Sequence, residues 1–222
     1  MTNRLIFVFF LAFLTFVGAC RNQSTTENTA DNNSRPVPPF TADARPEADP
    51  EVAIIETDFG NITIELYSNI APKMVARFKE LARENFYNGT TFHRVDPKLG
   101  IIQGGDPNSK DNDPANDGLG DSGRPNVPAE FSDVPYDKGI VGAARRGGGG
   151  GLTEKQAWDT ANCQFFIMTK RQPAFDKLYT IFGKVIEDKT NAVNSIANAP
   201  AAPRTNRPLE NITIKNVRIE KR

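Results

Sequence analysis

Short apolar segments with a two-residue period constrain the fold of this chain more than any other feature of its sequence. Residues 61–67 are such a segment, because Ile62, Ile64 and Leu66 alternate with polar residues, and a turn at residues 58–60 separates it from the apolar segment at residues 52–57. This period is typical of strands with one buried face, and the turn between the segments predicts a β-hairpin. Residues 209–219 alternate in the same way, with one slip. We therefore expect the folded part of the chain to begin and to close with strands.

Two helices are predicted within this β-rich region. Pro72 suits the first turn of a helix, and Val75, Phe78 and Leu81 follow it at three-residue spacing. A second short helix is predicted over residues 191–197. Further strand-like segments are residues 90–95, 164–169 and 179–185. Many short strands with two separated helices predict a mainly β domain, a barrel capped at its ends.

The N-terminus carries the pattern of an export signal. Residues 5–17 form an apolar run in which only Thr15 is polar, shorter than the roughly 20 residues that span a membrane. The run ends in Val17-Gly18-Ala19-Cys20, which resembles the lipobox of bacterial lipoproteins. We therefore predict a lipoprotein signal peptide over residues 1–19, with Cys20 as the lipidated mature N-terminus. An ordinary cleavable signal beside a chance cysteine is the alternative.

Residues 20–50 are predicted to be a disordered tether between the lipid and the domain at residues 51–222. The segment 21–50 contains five prolines, five acidic residues and one aromatic residue, without a helical or strand period. We expect the domain to lie in the bacterial cell envelope, outside the cytoplasm, held on a membrane by the N-terminal lipid. If Cys20 is acylated, Cys163 is a free and buried thiol. A Cys20–Cys163 disulfide is the alternative.

Composition excludes several classes of function. The chain has 27 basic and 27 acidic residues, whereas nucleic-acid-binding domains normally have a basic excess, so we expect no nucleic-acid partner. One histidine and two cysteines exclude a multi-histidine or four-cysteine zinc site. The acidic loop at residues 111–118 does not have the EF-hand spacing. We predict no metal and no cofactor.

The most informative residues are Phe92-His93-Arg94-Val95, followed by Ile101-Ile102-Gln103-Gly104-Gly105-Asp106. Arginine is a permanent cation with a fixed fork of donors, and it is costly among apolar residues unless it binds something. Taken alone, Arg94 is more often a paired structural arginine. The order of motifs changes that balance, because FHRV and IIQGGD precede GIVGAAR (139–145), QFFIMT (164–169) and FGKV (182–185).

This order resembles the cyclophilins, which are peptidyl-prolyl cis-trans isomerases, over about residues 52–220. The resemblance implies a closed eight-stranded antiparallel β-barrel capped by two α-helices. It also implies that Arg94 is the catalytic arginine. The substrate-binding residues that it implies are Ile101, Gln103, Ala144, Arg145, Gln164, Phe166, Phe175 and Tyr179. His93 is expected to be structural, and Arg145 is expected to act mainly through its backbone.

The sequence departs from the family pattern at three places. The loop at residues 96–100 is one residue longer than usual, so either Leu99 or Gly100 takes the place of a pocket phenylalanine. Ala174 stands where some members carry a tryptophan. The only tryptophan, Trp158, lies in a glycine-rich insertion at residues 147–163 that flanks the substrate groove and either shapes specificity or is inert.

We therefore expect a monomeric, membrane-anchored prolyl isomerase that acts on proline-containing exported polypeptides during folding. The alternative is a cyclophilin-like module that binds proline-containing segments, or holds unfolded chains, with little turnover. The altered loop at residues 96–100 motivates this alternative, because a deformed pocket could bind a peptide without twisting its bond.

Overall fold

In the computed structural model, the described residues are 45–111, 113–147 and 151–222. The predicted signal peptide, Cys20 and the tether as far as residue 44 lie outside them. Among the described residues, no helix is both long and apolar enough to cross a membrane.

Eight antiparallel strands form one sheet in the order β3-β4-β6-β5-β7-β2-β1-β8. The strands are β1 (Glu51–Thr57), β2 (Gly60–Leu66), β3 (Arg94–Asp96), β4 (Ile101–Gly104), β5 (Ile140–Ala143), β6 (Phe165–Met168), β7 (Ile181–Glu187) and β8 (Ile214–Lys221). The predicted hairpin is confirmed as β1 and β2, in which Ile55 pairs with Ile62. The mainly β fold with eight antiparallel strands is also confirmed.

The sheet curls so strongly that residues next to its two edge strands, β3 and β8, form hydrogen bonds with each other. The backbone N–H of Phe92 donates to Ile212 O (2.9 Å), and that of Ile214 donates to Thr90 O (2.7 Å). Thr91 and Thr213 form an isolated antiparallel bridge between these hydrogen bonds. Pairing just outside β3 and at the start of β8 thus joins the two edges of the sheet. The predicted strand at residues 209–219 is shifted, because regular pairing with β1 starts only at Ile214.

The described residues contain three α-helices, which are the two predicted ones and one more that the sequence did not predict. They are α1 (Pro72–Arg83), α2 (Glu154–Trp158) and α3 (Ala192–Ala197). The additional helix α2 lies inside the insertion and begins with a capping box between Thr153 and Gln156. Trp158 is buried and packs edge-on against Phe131 at 5.6 Å between ring centroids. Part of the insertion is therefore a packed element of the domain.

Helix α1 depends on a distant residue for its N-terminal cap. No side chain caps it locally, and both oxygens of Glu130 accept hydrogen bonds at 3.0 Å, from the backbone N–H groups of Lys73 and Met74. A carboxylate at this end also matches the positive end of the helix dipole. The buried face of the helix consists of Met74, Val75, Phe78, Leu81 and Ala82.

The residues directly before β1 lie along the domain. The Asp49 N–H donates to Leu66 O (2.9 Å), and its buried carboxylate forms an ion pair with Lys79 of α1. Burial alone would raise the pKa of Asp49, but hydrogen bonds from Lys79 and Ser68 outweigh it and hold that pKa below its usual value.

Buried apolar residues form two clusters. The larger one lies between α1, α3 and the interior of the sheet, with Phe78, Phe165 and Phe182 among its members. The smaller one includes Ile101, Tyr136, Phe166 and Phe175. The second cluster contains most of the apolar residues that the sequence predicts to bind substrate.

Candidate active site

A row of directly paired residues crosses three strand interfaces of the sheet and builds the site. Arg94 of β3 pairs with Gln103 of β4, Gln103 pairs with Phe166 of β6, and Phe166 pairs with Gly142 of β5. Directly opposite residues of antiparallel strands point to the same face of a sheet. The predicted catalytic cation and the predicted pocket floor are therefore two strands apart on one face, about 10 Å at the usual strand spacing.

Four aromatic rings form the apolar half of the site. They belong to Phe166, Phe175, Tyr179 and Tyr136, and every pair among them lies between 4.7 and 6.4 Å, measured between ring centroids. Three of them were predicted from the sequence. Tyr136 was missed, because it follows a segment rich in proline and aspartate that has no strand period. It is fully buried, and burial raises the pKa of its hydroxyl well above the usual value.

Gly142 allows the strands to pack closely beneath these rings. A Cβ atom at this position would lie 2.4 Å from Cζ of Phe166, which is closer than carbon atoms approach. Gly142, the second glycine of the GIVGAAR motif, therefore serves the pocket floor and not a turn.

Leu99 is the residue of the longer loop that contributes a side chain to the pocket. It is half-buried and packs against the smaller apolar cluster, whose members include Ile101, Phe166 and Phe175. Gly100 has a φ of +71°, and a Cβ atom there would collide with the side chain of Lys170 at 2.4 Å. A side chain at residue 100 would thus be both strained and obstructed. Of the two residues that the sequence left open, Leu99 is therefore the one whose side chain lies at the pocket.

A chain of hydrogen bonds forms the polar half of the site. Nη1 of Arg94 donates to Oε1 of Gln103 at 3.5 Å, and Nε2 of Gln103 donates to Oε1 of Gln164 at 3.0 Å. Nε2 of Gln164 in turn donates to Gly120 O at 2.9 Å. The three predicted polar residues are therefore brought together. Each glutamine amide is oriented by its neighbour, and Arg94 lies at the end of this series of hydrogen bonds.

The strongest contact of Arg94 is with a residue that the sequence did not single out. Its Nη2 donates to Oδ2 of Asp96 at 2.6 Å, and the Asp96 carboxylate is buried. Burial alone would raise the pKa of Asp96, but hydrogen bonds from the Leu99 N–H and from Arg94 outweigh it, and the pKa lies below its usual value. The available signal was an acidic residue two positions from Arg94 on a strand, which places both on one face.

Arg145 and Ala144 lie beside the aromatic rings. The guanidinium of Arg145 stacks over the Tyr179 ring at 4.4 Å from its centroid, and Nε donates to Leu178 O at 3.3 Å. The Arg145 side chain thus supports one wall of the pocket. The sequence analysis expected Arg145 to act mainly through its backbone and did not predict this contact. The Ala144 N–H donates to Gln164 O at 2.9 Å, which ties the end of β5 to the polar chain.

A cavity of about 380 Å³ adjoins the polar half of the site. Its lining includes Gln103, Gln164, Leu119, Arg145 and Arg146. Gln103 lines this cavity and also accepts a hydrogen bond from Arg94, so the cavity is continuous with the polar half of the site.

The remaining predicted residues lie outside the pocket. His93 is buried next to Gly118, and burial lowers its pKa although Asp106 and Asp117 are near. Ala174 is exposed. Cys163 is a free and buried thiol, as predicted, and burial raises its pKa to about 12. Among the described residues, no group of three or more His, Cys, Asp or Glu side chains could hold a metal ion.

Comparison with known proteins agrees with this geometry. Residues 52–219 match the family model described as "Cyclophilin type peptidyl-prolyl cis-trans isomerase/CLD". The chain is 39% identical over 174 residues to a probable peptidyl-prolyl cis-trans isomerase of Brucella suis biovar 1 (strain 1330), covering 76% of this chain and 80% of that protein. It is 35% identical over 147 residues to a peptidyl-prolyl cis-trans isomerase of Synechococcus elongatus, covering 66% of this chain and 88% of that protein.

A solved structure shows the same fold. The cyclophilin-type isomerase of Cryptosporidium parvum, crystallised in the presence of the dipeptide Ala-Pro, superposes with a TM-score of 0.64 at 28% identity. The match covers 77% of this chain and 99% of that one. Together with the family match over residues 52–219, these likenesses confirm the resemblance seen in the motif order. The chain belongs to the cyclophilin-type peptidyl-prolyl cis-trans isomerases.

Proposed function

We propose that this chain accelerates the rotation of X–Pro bonds through a hydrogen bond from Arg94 to the prolyl nitrogen. The barrier to this rotation is ~18–20 kcal/mol, because the C–N bond has partial double-bond character. A donor that binds the nitrogen lone pair withdraws it from resonance with the carbonyl group. The interaction is strongest in the twisted transition state, where the nitrogen is pyramidal, so it lowers the barrier instead of only binding the substrate.

The observation that supports this proposal is the position of Arg94 relative to the aromatic cluster. The guanidinium has five N–H donors. Among the described residues only Asp96 and Gln103 accept from it, one hydrogen bond each. Three donors therefore remain for a substrate, and the side chain is 36% exposed. A proline ring packed on Phe166 would hold its nitrogen towards this group.

The experiment is NMR exchange on a short Ala-Pro peptide with the wild-type chain and with Arg94→Ala. A hydrogen bond to a charged group contributes ~1.5–3 kcal/mol, so Arg94→Ala is expected to lower kcat/KM by ~10- to 150-fold. Arg94→Lys retains the charge without the fork of donors and is expected to recover only a small part of the loss. Arg218→Ala, on the outer part of β8, is the matched control.

Two outcomes would contradict the proposal. Full activity of Arg94→Ala would exclude the mechanism. A wild-type rate equal to that of buffer would exclude turnover, and saturable binding of the peptide in that case would favour the proline-binding module instead.

We also propose that the natural substrates are exported polypeptides and that Cys20 is acylated, with the domain on the outer side of a membrane. Support comes from the apolar run at residues 5–17 and from the motif that ends at Cys20. Uncatalysed X–Pro exchange takes ~10–100 s, long enough to limit the folding of an exported chain. Mass spectrometry of the mature N-terminus tests this: a diacylated or triacylated Cys20 is expected, and an unmodified Cys20 or a chain that retains residues 1–19 would refute it.

A further inference from the structure

Asp96 is an unusual residue for its position, because it is a carboxylate with only 5% of its surface exposed. Burying a charged group is costly unless it is paired and hydrogen-bonded. All of the capacity of this carboxylate is used. Oδ1 accepts from the backbone N–H groups of Lys98 (3.1 Å) and Leu99 (3.0 Å). Oδ2 accepts from Arg94 (2.6 Å) and from Nδ2 of Asn206 (3.2 Å).

The two oxygens of Asp96 act on the two halves of the site. Oδ2 holds the guanidinium of Arg94, whose hydrogen bond to Gln103 is long at 3.5 Å. Oδ1 holds the turn that presents Leu99 to the smaller apolar cluster, which contains Phe166. One carboxylate thus fixes both the donor that faces the prolyl nitrogen and a wall of the pocket that receives the ring.

Asp96 is itself held from outside the turn. The Val95 N–H donates to Asn206 O at 2.7 Å, and the Asn206 side chain donates to Asp96. Asn206 has a φ of +58°, a backbone conformation that asparagine tolerates better than most residues. The loop before β8 therefore braces the carboxylate, and the carboxylate braces the arginine.

We infer that Asp96 is a positioning residue for catalysis, which orients the Arg94 guanidinium and places Leu99 at the pocket. This inference rests on the proposed role of Arg94. An arginine side chain has many rotamers, and only those that aim N–H groups at the prolyl nitrogen contribute to the transition state. Holding one edge of the guanidinium on Asp96 leaves its remaining donors in a defined direction, and a displacement of 1 Å in such a group costs ~100-fold in rate.

The key variant is Asp96→Asn, because it keeps one carboxylate oxygen as an acceptor and replaces the other with an amide nitrogen. The asparagine Oδ1 can still accept from Lys98 and Leu99, while the charge that holds Arg94 is lost. We expect kcat for the Ala-Pro peptide to fall by ~10- to 100-fold, with KM changed by less than about 2-fold because the apolar pocket is retained. Asp96→Ala loses both contacts, and we expect it to lower kcat and to raise KM. Asp58→Asn, an exposed aspartate paired with Lys215, is the control for loss of charge.

A double-mutant comparison distinguishes positioning from a general loss of structure. In an Arg94→Ala background, Asp96→Asn is expected to change kcat by less than about 2-fold, because the group that it positions is gone. An equal fall in kcat in both backgrounds would overturn the inference, and so would wild-type kcat in Asp96→Asn alone.

A direct measurement on the wild-type chain keeps the test independent of the variants' folding and of turnover. ¹⁵N NMR of the arginine side chains is expected to resolve separate Nη1 and Nη2 signals for Arg94, since the ion pair hinders rotation of the guanidinium. Averaged signals would overturn the inference even in an active protein. Resolved signals in a chain without turnover would refute the proposed function and leave the pairing intact.

Discussion

Strand β5 packs closely against the Phe166 ring in the active site, and Gly142→Ala tests whether this packing positions the ring. The new Cβ would lie 2.4 Å from Cζ of Phe166 and 2.8 Å from the Tyr136 hydroxyl oxygen. Carbon atoms pack best at about 3.5–4.0 Å, so the Phe166 ring would have to move by about 1 Å. It cannot move alone, because Tyr136, Phe175 and Tyr179 all contact it.

Two magnitudes follow from this displacement. Overpacking a dense core costs ~1–3 kcal/mol, which we expect as the loss in free energy of unfolding. A shift of about 1 Å in the pocket floor misplaces the bound proline relative to Arg94, and we expect kcat/KM to fall by ~10- to 100-fold. Urea unfolding followed by circular dichroism gives the first value, and NMR exchange on an Ala-Pro peptide gives the second.

Gly147→Ala is the matched control, because no described atom lies within 4 Å of a Cβ built there. We expect that variant to be as stable and as active as the wild-type chain. If Gly142→Ala also matched the wild-type chain in both measurements, close packing under Phe166 would not be what positions the ring.

Two further predictions concern stability. Glu130→Ala is expected to lower the free energy of unfolding by ~1 kcal/mol, because the N-terminus of α1 loses its cap; urea unfolding equal to that of the exposed control Glu210→Ala would contradict this. Burial raises the pKa of the Cys163 thiol to about 12, so above about pH 8.5 the unfolded chain binds fewer protons than the folded one. The free energy of unfolding is therefore expected to fall as the pH rises from about 8.5 to about 12, and to fall less steeply in Cys163→Ala. Equal slopes in the two proteins would contradict the raised pKa of Cys163.

Several elements could be predicted because their cause is local. The hairpin of β1 and β2 follows from a two-residue period and a turn, and α1 follows from Pro72 and a three-residue spacing of apolar side chains. Arg94, Gln103, Gln164 and Phe166 were found through the order of short motifs that resembles the cyclophilins. Each of those signals lies within a few consecutive residues.

Other features depend on residues that are distant in the chain. The cap of α1 is Glu130, 56 residues from Met74, and Gln103 meets Gln164 across 61 residues. The helix in the insertion was missed because five residues between glycines and a turn have little periodicity, and its burial depends on Phe131. Local patterns contain no information about which distant side chain completes such a contact.

By itself, then, the sequence determined the class of fold, the family and the arginine on which the proposed chemistry rests. Only the tertiary structure decided that Asp96 holds that arginine, that Tyr136 completes the aromatic cluster and that Leu99, not Gly100, enters the pocket. The physical reason is strand register. Periodicity tells which face of a strand is buried, but the register of eight strands decides which residues of that face become neighbours.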